Sequence, residues 1–568
     1  MSMLSRIRNA PVMSWLALCH WVYCGIILIK YPHLGFTVYF TLVVLSQTER
    51  LLRALQGPDE VPLIPHPWLP FLGHVLGMFW YGASYFARVN EKTNAPIFAL
   101  QTLNTRTIVV TSPHLAAPIQ RASKNTSFYG MILEVTRRLV DFDAKSMDII
   151  KWNIDNEHGH DEGLMNEAQH MIASMLSPGP TLNQLATIQL DKFSEILNNL
   201  VPGSKSIELS LMDFVKQTFT TANASTIYGP QNPFAMYPEL VQAFWDYERG
   251  MIAVMADICP WITAGKPWKA RKAINDALQE FIEKGYYRNA SPLIQKRVAI
   301  NLKHGLTPKM AGRAELILLF GIIGNAVPST FWFLANVFAR PDLLALIREE
   351  SSKAVHCSLN ATTGKKEKVI SVEVLKTRCP LLVSTYRESL RLIANLASVR
   401  LVTNTHTISA PSFSPILLRK GDMIQIASGV IHVSEPVWGH DAKTFNASRF
   451  ISETTTSEQF STETGSHVSA EQTATKLPKN VPSAAYRAFG GGSVICPGRH
   501  FAQTEIIGFV AMCVHMLDIV DTKSGGTMPL PERDNRRIPL SVMKPKVEPQ
   551  VKIRRRPGED DVVWRLEL

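Results

Sequence analysis

Two long apolar stretches have the length and spacing of buried helices. The first, from Ile317 to Phe338, is apolar on every side, which is typical of a helix that crosses the centre of a large domain. Thr307 and Pro308 supply an N-cap and a first-turn proline, so we predict a helix from Pro308 to about Ala339. The second stretch, Phe501 to Leu517, repeats apolar residues at helical spacing and predicts another core helix.

Shorter patterns predict the elements around these helices. Residues 97–100 and 107–110 are apolar and β-branched runs separated by a polar turn, which predicts a pair of strands. Residues 233–305 contain several predicted helices that are rich in aromatic residues and methionine. Such a stripe is more often core than ligand contact, so no binding residue is assigned there.

The N-terminal pattern differs from the rest. Residues 12–29 form an apolar run broken only by Ser14 and His20, with Arg6 and Arg8 before it. This length is near the lower limit for a membrane-spanning helix. No small-x-small site follows the run, so an uncleaved membrane anchor within residues 1–47 is favoured over a cleaved signal peptide.

A second apolar run, residues 34–45, could span the membrane, lie at its interface or pack on the following domain. Residues 48–73 are predicted to form a linker, because four prolines between positions 62 and 70 make a stiff hinge. Residues 74–568 then form one catalytic domain. Within it, residues 452–479 are rich in Ser, Thr, Glu and Gln and predict a flexible surface insert. The arginines at 554–556 are predicted to be solvated, with contact to lipid headgroups as the alternative.

Composition and charge narrow the range of cellular compartments and of binding partners. The chain has 568 residues, 46% of them hydrophobic, and a formal charge of +11. Its seven cysteines are odd in number and follow no disulfide framework, which indicates a reducing compartment. A basic surface suits an anionic membrane or an acidic partner protein. Nucleic acid is not an expected partner, because no nucleic-acid-binding motif is present.

The chemistry is concentrated in residues 489–499, which read FGGGSVICPGR. Glycines ahead of Cys496 let the backbone approach a flat ligand, where side chains would collide. Pro497 and Gly498 turn the chain into the helix that follows, and N–H groups at a helix start favour thiolate over thiol. A thiolate held in this way suits the axial position of haem iron. The alternative is a structural cysteine buried in a glycine-rich turn.

This segment resembles the cysteine-ligand loop of cytochromes P450, written Phe-x-x-Gly-x-x-x-Cys-x-Gly, with Phe489, Gly492, Cys496 and Gly498 at the matching places. The resemblance implies a mainly α fold with small β-sheets and an N-terminal membrane anchor. It also implies haem as cofactor, with Cys496 as its iron ligand and with Gly490 and the three other motif residues around it.

The central helix departs from the commonest form of the family. Most members have an acid followed by threonine at mid-helix, whereas this chain has Gly324 and Asn325, and no carboxylate between Glu315 and Asp342. It resembles the branch that includes sterol 7α- and 12α-hydroxylases, prostacyclin synthase and fungal pathway enzymes. Pro328 clashes with the Gly324 carbonyl, so the helix is expected to open beside Asn325. Gly324 and Asn325 are the catalytic candidates; the alternative is a kink that serves packing.

Other residues are assigned by the same resemblance. Glu388 and Arg391, three positions apart on a predicted helix, match the family's Glu-x-x-Arg pair, which locks with a later arginine, here Arg449. On its own such a pair is more often a surface ion pair. The expected role of these three residues is structural.

This chain matches only some of the residues that bind the haem propionates in the family. Arg400 is the candidate on its strand, unless it is a solvated strand-end arginine. The family's second propionate ligand stands two residues before the cysteine, where this chain has Val494; Arg499 is a candidate by proximity. The family's Trp-x-x-x-Arg motif is absent. Gln169 and His170 could stand in its place, but an exposed helical histidine is favoured.

The function implied is a haem-thiolate monooxygenase that hydroxylates or epoxidises a terpenoid, steroid or polyketide-like substrate, in fungal secondary metabolism. It would use O2 and electrons from an NADPH–cytochrome P450 reductase, anchored to the endoplasmic reticulum with its catalytic domain in the cytosol. One alternative is a reductase-independent isomerase or dehydratase of a lipid peroxide, because such an enzyme needs no delivered protons. A second alternative is a haem carrier or sensor, which the apolar central helix disfavours.

Overall fold

The computed structural model describes residues 32–66, 69–102, 105–122, 124–155, 157–159, 162–201, 205–359, 366–395, 397–451, 475–536 and 542–568. Helices dominate this part of the chain, as the sequence predicts, and thirteen short strands form four small sheets. The N-terminal apolar run at residues 12–29 lies outside the described residues, and so does the greater part of the predicted insert, residues 452–474.

The α-helices are α1 Pro32–Ala54, α2 Gly73–Tyr81, α3 Tyr85–Thr93, α4 Pro113–Arg121, α5 Tyr129–Val140, α6 Ala144–Lys151, α7 Leu164–Met175, α8 Pro180–Leu200, α9 Leu211–Tyr228, α10 Pro233–Met236, α11 Leu240–Met255, α12 Pro260–Thr263, α13 Gly265–Glu283, α14 Pro292–Lys303, α15 Pro308–Phe338, α16 Pro341–Ser351, α17 Val372–Arg378, α18 Pro380–Ile393, α19 Ser428–Ile431, α20 Glu435–Trp438 and α21 Arg499–Met516.

The strands are β1 Ile97–Gln101, β2 Arg106–Val110, β3 Thr126–Ser127, β4 Ser206–Ser210, β5 Val355–Leu359, β6 Lys366–Ser371, β7 Ala397–Val402, β8 His406–Ile408, β9 Ile416–Leu418, β10 Met423–Ala427, β11 Leu517–Asp521, β12 Gln550–Arg555 and β13 Val563–Glu567. The largest sheet has the order β1-β2-β10-β7-β3. In it β10 runs parallel to β2 and antiparallel to β7, so that Arg400 of β7 lies opposite Ile424.

The two predicted core helices are α15 and α21. In α15 the Thr307 hydroxyl accepts from the Met310 N–H at 3.3 Å, as the N-cap pattern predicts. From Ala326 to Phe338 every α15 side chain is buried. On α21, Phe509 lies 5.0 Å from the ring centroids of both Phe193 and Phe219. The ends of α15 and α21 agree with the predicted ones within two residues.

The structure changes the interpretation of two polar segments. The predicted C-terminal boundary of the surface insert, residue 479, lies too far along the chain. Thr475 is already buried and accepts two hydrogen bonds of 3.1 Å from Arg387. Leu477 also packs on the apolar core below the largest sheet. Arg555, predicted to be solvated, is buried and donates to the carbonyls of Val201 and Val562. In both cases an arginine side chain bonds to groups from a distant part of the chain.

The N-terminal part of the described chain is a helix with exposed apolar side chains. Helix α1 covers the second apolar run, and Phe36, Tyr39 and Phe40 on it are exposed. Among the described residues, α15 is the helix with the length and apolar composition to cross a membrane, but 67% of its most apolar window is buried inside the protein. Because most of this window is buried, α15 is a core helix of the domain rather than a membrane-spanning one. The anchor, linker and domain boundaries stay predictions.

Candidate functional site

The cysteine loop is closed by its own backbone. The Cys496 N–H donates to the Phe489 carbonyl at 2.9 Å, and the Gly490 N–H donates to the Arg487 carbonyl at 3.0 Å. Gly490 and Gly492 have φ of +78° and +67°, a backbone region that residues other than glycine rarely adopt. These two glycines therefore allow the tight path that brings Cys496 to the start of α21.

The Cys496 thiol is held between opposing influences. Burial raises its pKa, while the Gly498 N–H and the charge of Arg499 lower it. The helix start does favour thiolate, as expected, but burial has the larger effect on the thiol itself. A bound metal ion reverses this balance, since a coordinating thiol is deprotonated by the ion's charge. Arg499 itself donates to the Cys496 carbonyl at 3.1 Å, so it supports the loop.

Helix α15 presents a small open face in an otherwise buried element. A Cβ placed on Gly321 would meet nothing within 4 Å, and one on Gly324 would meet only the Phe320 ring, at 3.6 Å. Asn325 is exposed, although the residues that follow it are buried. The helix continues through Pro328 without interruption, so the expected local opening does not break it. The missing side chains at Gly321 and Gly324 provide the free space instead.

The acid nearest this face along the helix is already engaged. Glu315 is fully buried, accepts from the Arg297 guanidinium at 3.0 Å and lies beside the Tyr228 hydroxyl. Burial raises its pKa and the Arg297 charge opposes that rise. It stands nearly three turns before Asn325, and no further carboxylate follows on α15. At the open face, Asn325 is therefore the polar side chain that could orient water.

Glu388, Arg391 and Arg449 meet inside the domain. Both carboxylate oxygens of Glu388 accept from Arg391 at 2.7 Å and from Arg449 at 3.1 Å. Arg449 also pairs with Asp441, through two bonds of 2.9 Å. Every charge in this group, which we call the acid–arginine cluster, thus has an opposite charge within hydrogen-bond distance. Its position joins α18 to the segment that precedes the cysteine loop.

Arg400 is buried and incompletely bonded. It is 4% exposed, its Nη1 donates to the Val399 carbonyl at 2.8 Å, and its Nη2 has no hydrogen-bond partner among the described residues. Its guanidinium lies over the Phe128 ring, 5.1 Å from the centroid. Burial lowers its pKa. A solvated strand-end position is therefore wrong for this side chain.

A second buried arginine, Arg487, was not predicted from the sequence. It is 1% exposed and donates to the Gln120 side-chain oxygen, the Ser398 hydroxyl and the Ser428 hydroxyl at 3.3, 3.0 and 3.3 Å. None of these partners is an acid. The available signal was its place two residues before Phe489, but an arginine in a loop is ordinarily expected in solvent.

Gln169 and His170 lie apart from this group. The Tyr129 hydroxyl hydrogen-bonds to Gln169, and the His170 ring, 77% exposed, pairs with Glu162. An exposed histidine here agrees with the favoured prediction. Within the described part of the chain, no hydrogen bond or ion pair joins either residue to the cysteine loop.

The described residues fit haem. Cys496 offers a sulfur ligand on a glycine-lined loop, which leaves room for a flat ring. Helix α15 offers a face without side chains at Gly321 and Gly324. Arg400 carries an orphaned buried guanidinium nitrogen, the complement of a carboxylate. A thiol, an open face and buried positive charge together match the iron, ring and acidic substituents of haem.

Comparison with known proteins agrees with this reading. The family model described as Cytochrome P450 matches residues 63–553. The chain is 28% identical over 513 residues to Cytochrome P450 monooxygenase nodJ of Hypoxylon pulicicidum, covering 90% of this chain and 93% of the relative. It is 28% identical over 517 residues to a Cytochrome P450 monooxygenase of Gibberella zeae, covering 89% and 91%.

A more distant likeness concerns the branch. The chain is 28% identical over 261 residues to the 5-beta-cholestane-3-alpha,7-alpha-diol 12-alpha-hydroxylase of Sus scrofa, covering 45% of this chain and 48% of the relative. This agrees with the resemblance drawn from Gly324 and Asn325. Because the family model spans most of the sequence, the chain belongs to the cytochrome P450 family of haem-thiolate oxidoreductases.

Proposed function

We propose that this P450 monooxygenase hydroxylates or epoxidises a terpenoid, steroid or polyketide-like substrate in fungal secondary metabolism, with electrons from an NADPH–cytochrome P450 reductase. The observation that carries the proposal is Cys496, which stands on a glycine-lined loop at the start of a buried helix. Haem supplies the dioxygen chemistry when it is bound. The protein's part is to hold the iron, orient the substrate and exclude bulk water.

The surroundings of α15 support a lipophilic substrate. The Phe320 ring, which borders the open space at Gly324, packs against Phe244 and Tyr247 of α11, at 4.9 and 5.4 Å between centroids. An aromatic wall of this kind favours an apolar ligand, with few polar groups to orient it. Asn325 is the candidate for that orientation, since its amide can both donate and accept.

Exposed apolar residues support attachment to a membrane. In the α11–α13 connection, Ile258, Trp261 and Ile262 are 69%, 58% and 74% exposed. Phe36 and Phe40 of α1 are exposed as well. Tryptophan and aliphatic side chains on a surface, together with a positive net charge, suit an anionic lipid interface. We therefore assign the protein to the endoplasmic reticulum membrane, with its catalytic domain in the cytosol.

A reductase-independent isomerase or dehydratase of a lipid peroxide is the second candidate. It is favoured by one observation: α15 has no carboxylate after Glu315, and Glu315 is occupied by Arg297. An asparagine cannot release a proton as an acid does. In this alternative Asn325 orients the peroxide, and no external electrons are consumed.

Turnover with and without electron supply tests the proposal. Membranes that contain the protein are offered terpenoids, steroids and lipid peroxides, with or without reductase and NADPH, and membranes with the Cys496→Ala variant serve as control. Oxygenated product in the complete system alone is the expected result. Peroxide rearrangement without reductase, absent in the control, would establish the isomerase instead.

A further inference from the structure

Arg487 is enclosed by neutral groups. Its three hydrogen-bond partners are an amide oxygen from Gln120 on α4 and two serine hydroxyls, Ser398 on β7 and Ser428 on α19. Among the described residues no aspartate or glutamate forms an ion pair with it. A guanidinium has five N–H donors, so these bonds leave capacity for another acceptor. Charged side chains this deeply buried are normally paired.

Arg400 brings a second positive charge to the same place. Ser398, which accepts from Arg487, stands two positions before Arg400 on β7, so both side chains extend from one face of the strand. The proximity of the two guanidinium groups also shows in the pKa of Arg487, which burial and the charge of Arg400 lower to about 10. Two like charges buried together favour an anion between or beside them.

Arg487 lies against the cysteine loop, because a Cβ placed on Gly491 would stand 3.4 Å from its Nη1. The Gln120 side chain bonds to Arg487 and would stand 2.9–3.0 Å from a Cβ placed on Gly491 or Gly492. Its Nε2 has no hydrogen-bond partner among the described residues, although it is buried. The loop that presents Cys496 is thus bordered by Arg487 and by an unsatisfied donor of Gln120.

The backbone of Arg487 is held on both sides. Its carbonyl accepts from Gly490 at 3.0 Å, and its N–H donates to His432 Nε2 at 2.9 Å. His432 in turn donates from Nδ1 to the Ala394 carbonyl at 3.0 Å, so the ring is the neutral Nδ1–H tautomer. His432 is therefore a positioning residue for Arg487. Such preorganisation is expected of a binding group.

We infer that Arg487, together with Arg400, binds the haem propionates, and that Arg487 replaces the ligand that the family resemblance places at position 494, where this chain has valine. This inference rests on the proposed haem-thiolate function. Haem carries two carboxylates, and guanidinium–carboxylate pairs are the strongest charge-assisted hydrogen bonds available to side chains. The buried anion that both arginines lack is thereby supplied by the cofactor.

The test uses haem and its dimethyl ester, whose propionates carry no charge. The full-length protein, as wild type and as Arg487→Gln, is loaded with each cofactor, and its transfer to excess haem-free myoglobin is timed. Arg487→Gln should release haem about tenfold to a hundredfold faster than wild type, as expected for a lost hydrogen bond to a charged group. It should release the dimethyl ester at the wild-type rate.

Two further variants keep the result interpretable. Arg487→Lys keeps the charge without the planar fork and should release haem about threefold faster or more, again without effect on the ester; it decides the matter if the glutamine variant fails to fold. Arg555→Gln removes another buried arginine, whose donors all meet protein carbonyls or the Asn198 side chain. It should leave both release rates unchanged.

Equal acceleration of haem and of its ester in the Arg487 variants would overturn the inference, because it would mark Arg487 as structural. No acceleration of either would also overturn it. The proposed function fails in a different way: the wild-type protein would then bind no haem, or would bind it without the absorption signature of a thiolate ligand.

Discussion

Two groups of buried arginines, each with a member bonded to His432, differ in how their positive charge is compensated. In the acid–arginine cluster, Arg391 and Arg449 share Glu388, and Asp441 closes the outer side. Arg400 and Arg487 have only neutral partners in the described chain. The first group is complete in the polypeptide alone, whereas the second requires an anion from outside it.

This difference separates a structural role from a binding role. Removing one member of a paired buried cluster leaves an uncompensated charge and destabilises the fold itself. Removing a charge from the unpaired group relieves a repulsion in the free protein, where the hydrogen bonds lost are to neutral groups, and its effect falls chiefly on the complex with the anion. The same residue type, at similar burial, therefore predicts opposite effects on the stability of the cofactor-free protein.

Cys496→Ala should have the largest effect on the haem spectrum, because it removes the proposed iron ligand. It leaves both arginine groups unchanged. The expected result is complete loss of the thiolate signature in the carbon monoxide difference spectrum. Circular dichroism should show a folded, mainly helical protein. Retention of the thiolate signature would contradict the ligand assignment.

Glu388→Gln should break the acid–arginine cluster at its centre. The amide keeps the shape but leaves Arg391 and Arg449 without their shared charge, so we expect the free energy of unfolding to fall by about 3–5 kcal/mol. Denaturant titration measures this. The matched control is Glu435→Gln, which removes an exposed acid 3.5 Å from Lys443 and should change stability by less than about 0.5 kcal/mol. Similar values for the two variants would contradict a structural role for the cluster.

Asn325→Ala should leave haem binding intact and reduce the yield of product per NADPH consumed by about tenfold or more, if Asn325 orients water for proton delivery. Product and NADPH are measured in the same reconstituted reaction. The control is Asn289→Ala, which removes an exposed amide that donates to the Gln231 side chain and belongs to no part of the proposed site. Unchanged coupling in the alanine variant at 325 would remove this residue from the mechanism.

Glu505 differs from both arginine groups, because it is a buried acid whose hydrogen-bond partners are side-chain amides. Its carboxylate accepts from Gln189 and Asn223 at 3.1 Å, and burial raises its pKa to about 8 from 4.5. The folded protein thus holds a proton that the unfolded chain releases above pH 4.5, so stability falls as pH rises from 4.5 towards 8.

Glu505→Gln should abolish that pH dependence. Between pH 6 and pH 7 the stability of the wild type relative to the variant should fall by about 1 kcal/mol. Denaturant titrations at both pH values measure the change. A parallel pH profile for the two proteins would show that Glu505 ionises at its ordinary pKa.

Features that depend on neighbouring residues could be predicted from the sequence alone. Thr307 and Pro308 specify the start of α15, because capping acts within one turn. The glycines of the cysteine loop specify its path, and Glu388 and Arg391 share one helix face by spacing alone. These local rules were sufficient to identify the family and the proposed iron ligand.

Which polar side chains are buried, and which groups they contact, depends on how distant elements pack. Gln120 and Arg487 are 367 positions apart, and Arg555 reaches a carbonyl 354 positions away. No local pattern encodes such contacts, because burial depends on which distant elements pack together. The same reason explains why helix-start reasoning underestimated the effect of burial on the Cys496 thiol. Periodicity and capping are properties of adjacent residues, whereas desolvation and charge pairing are properties of the folded whole.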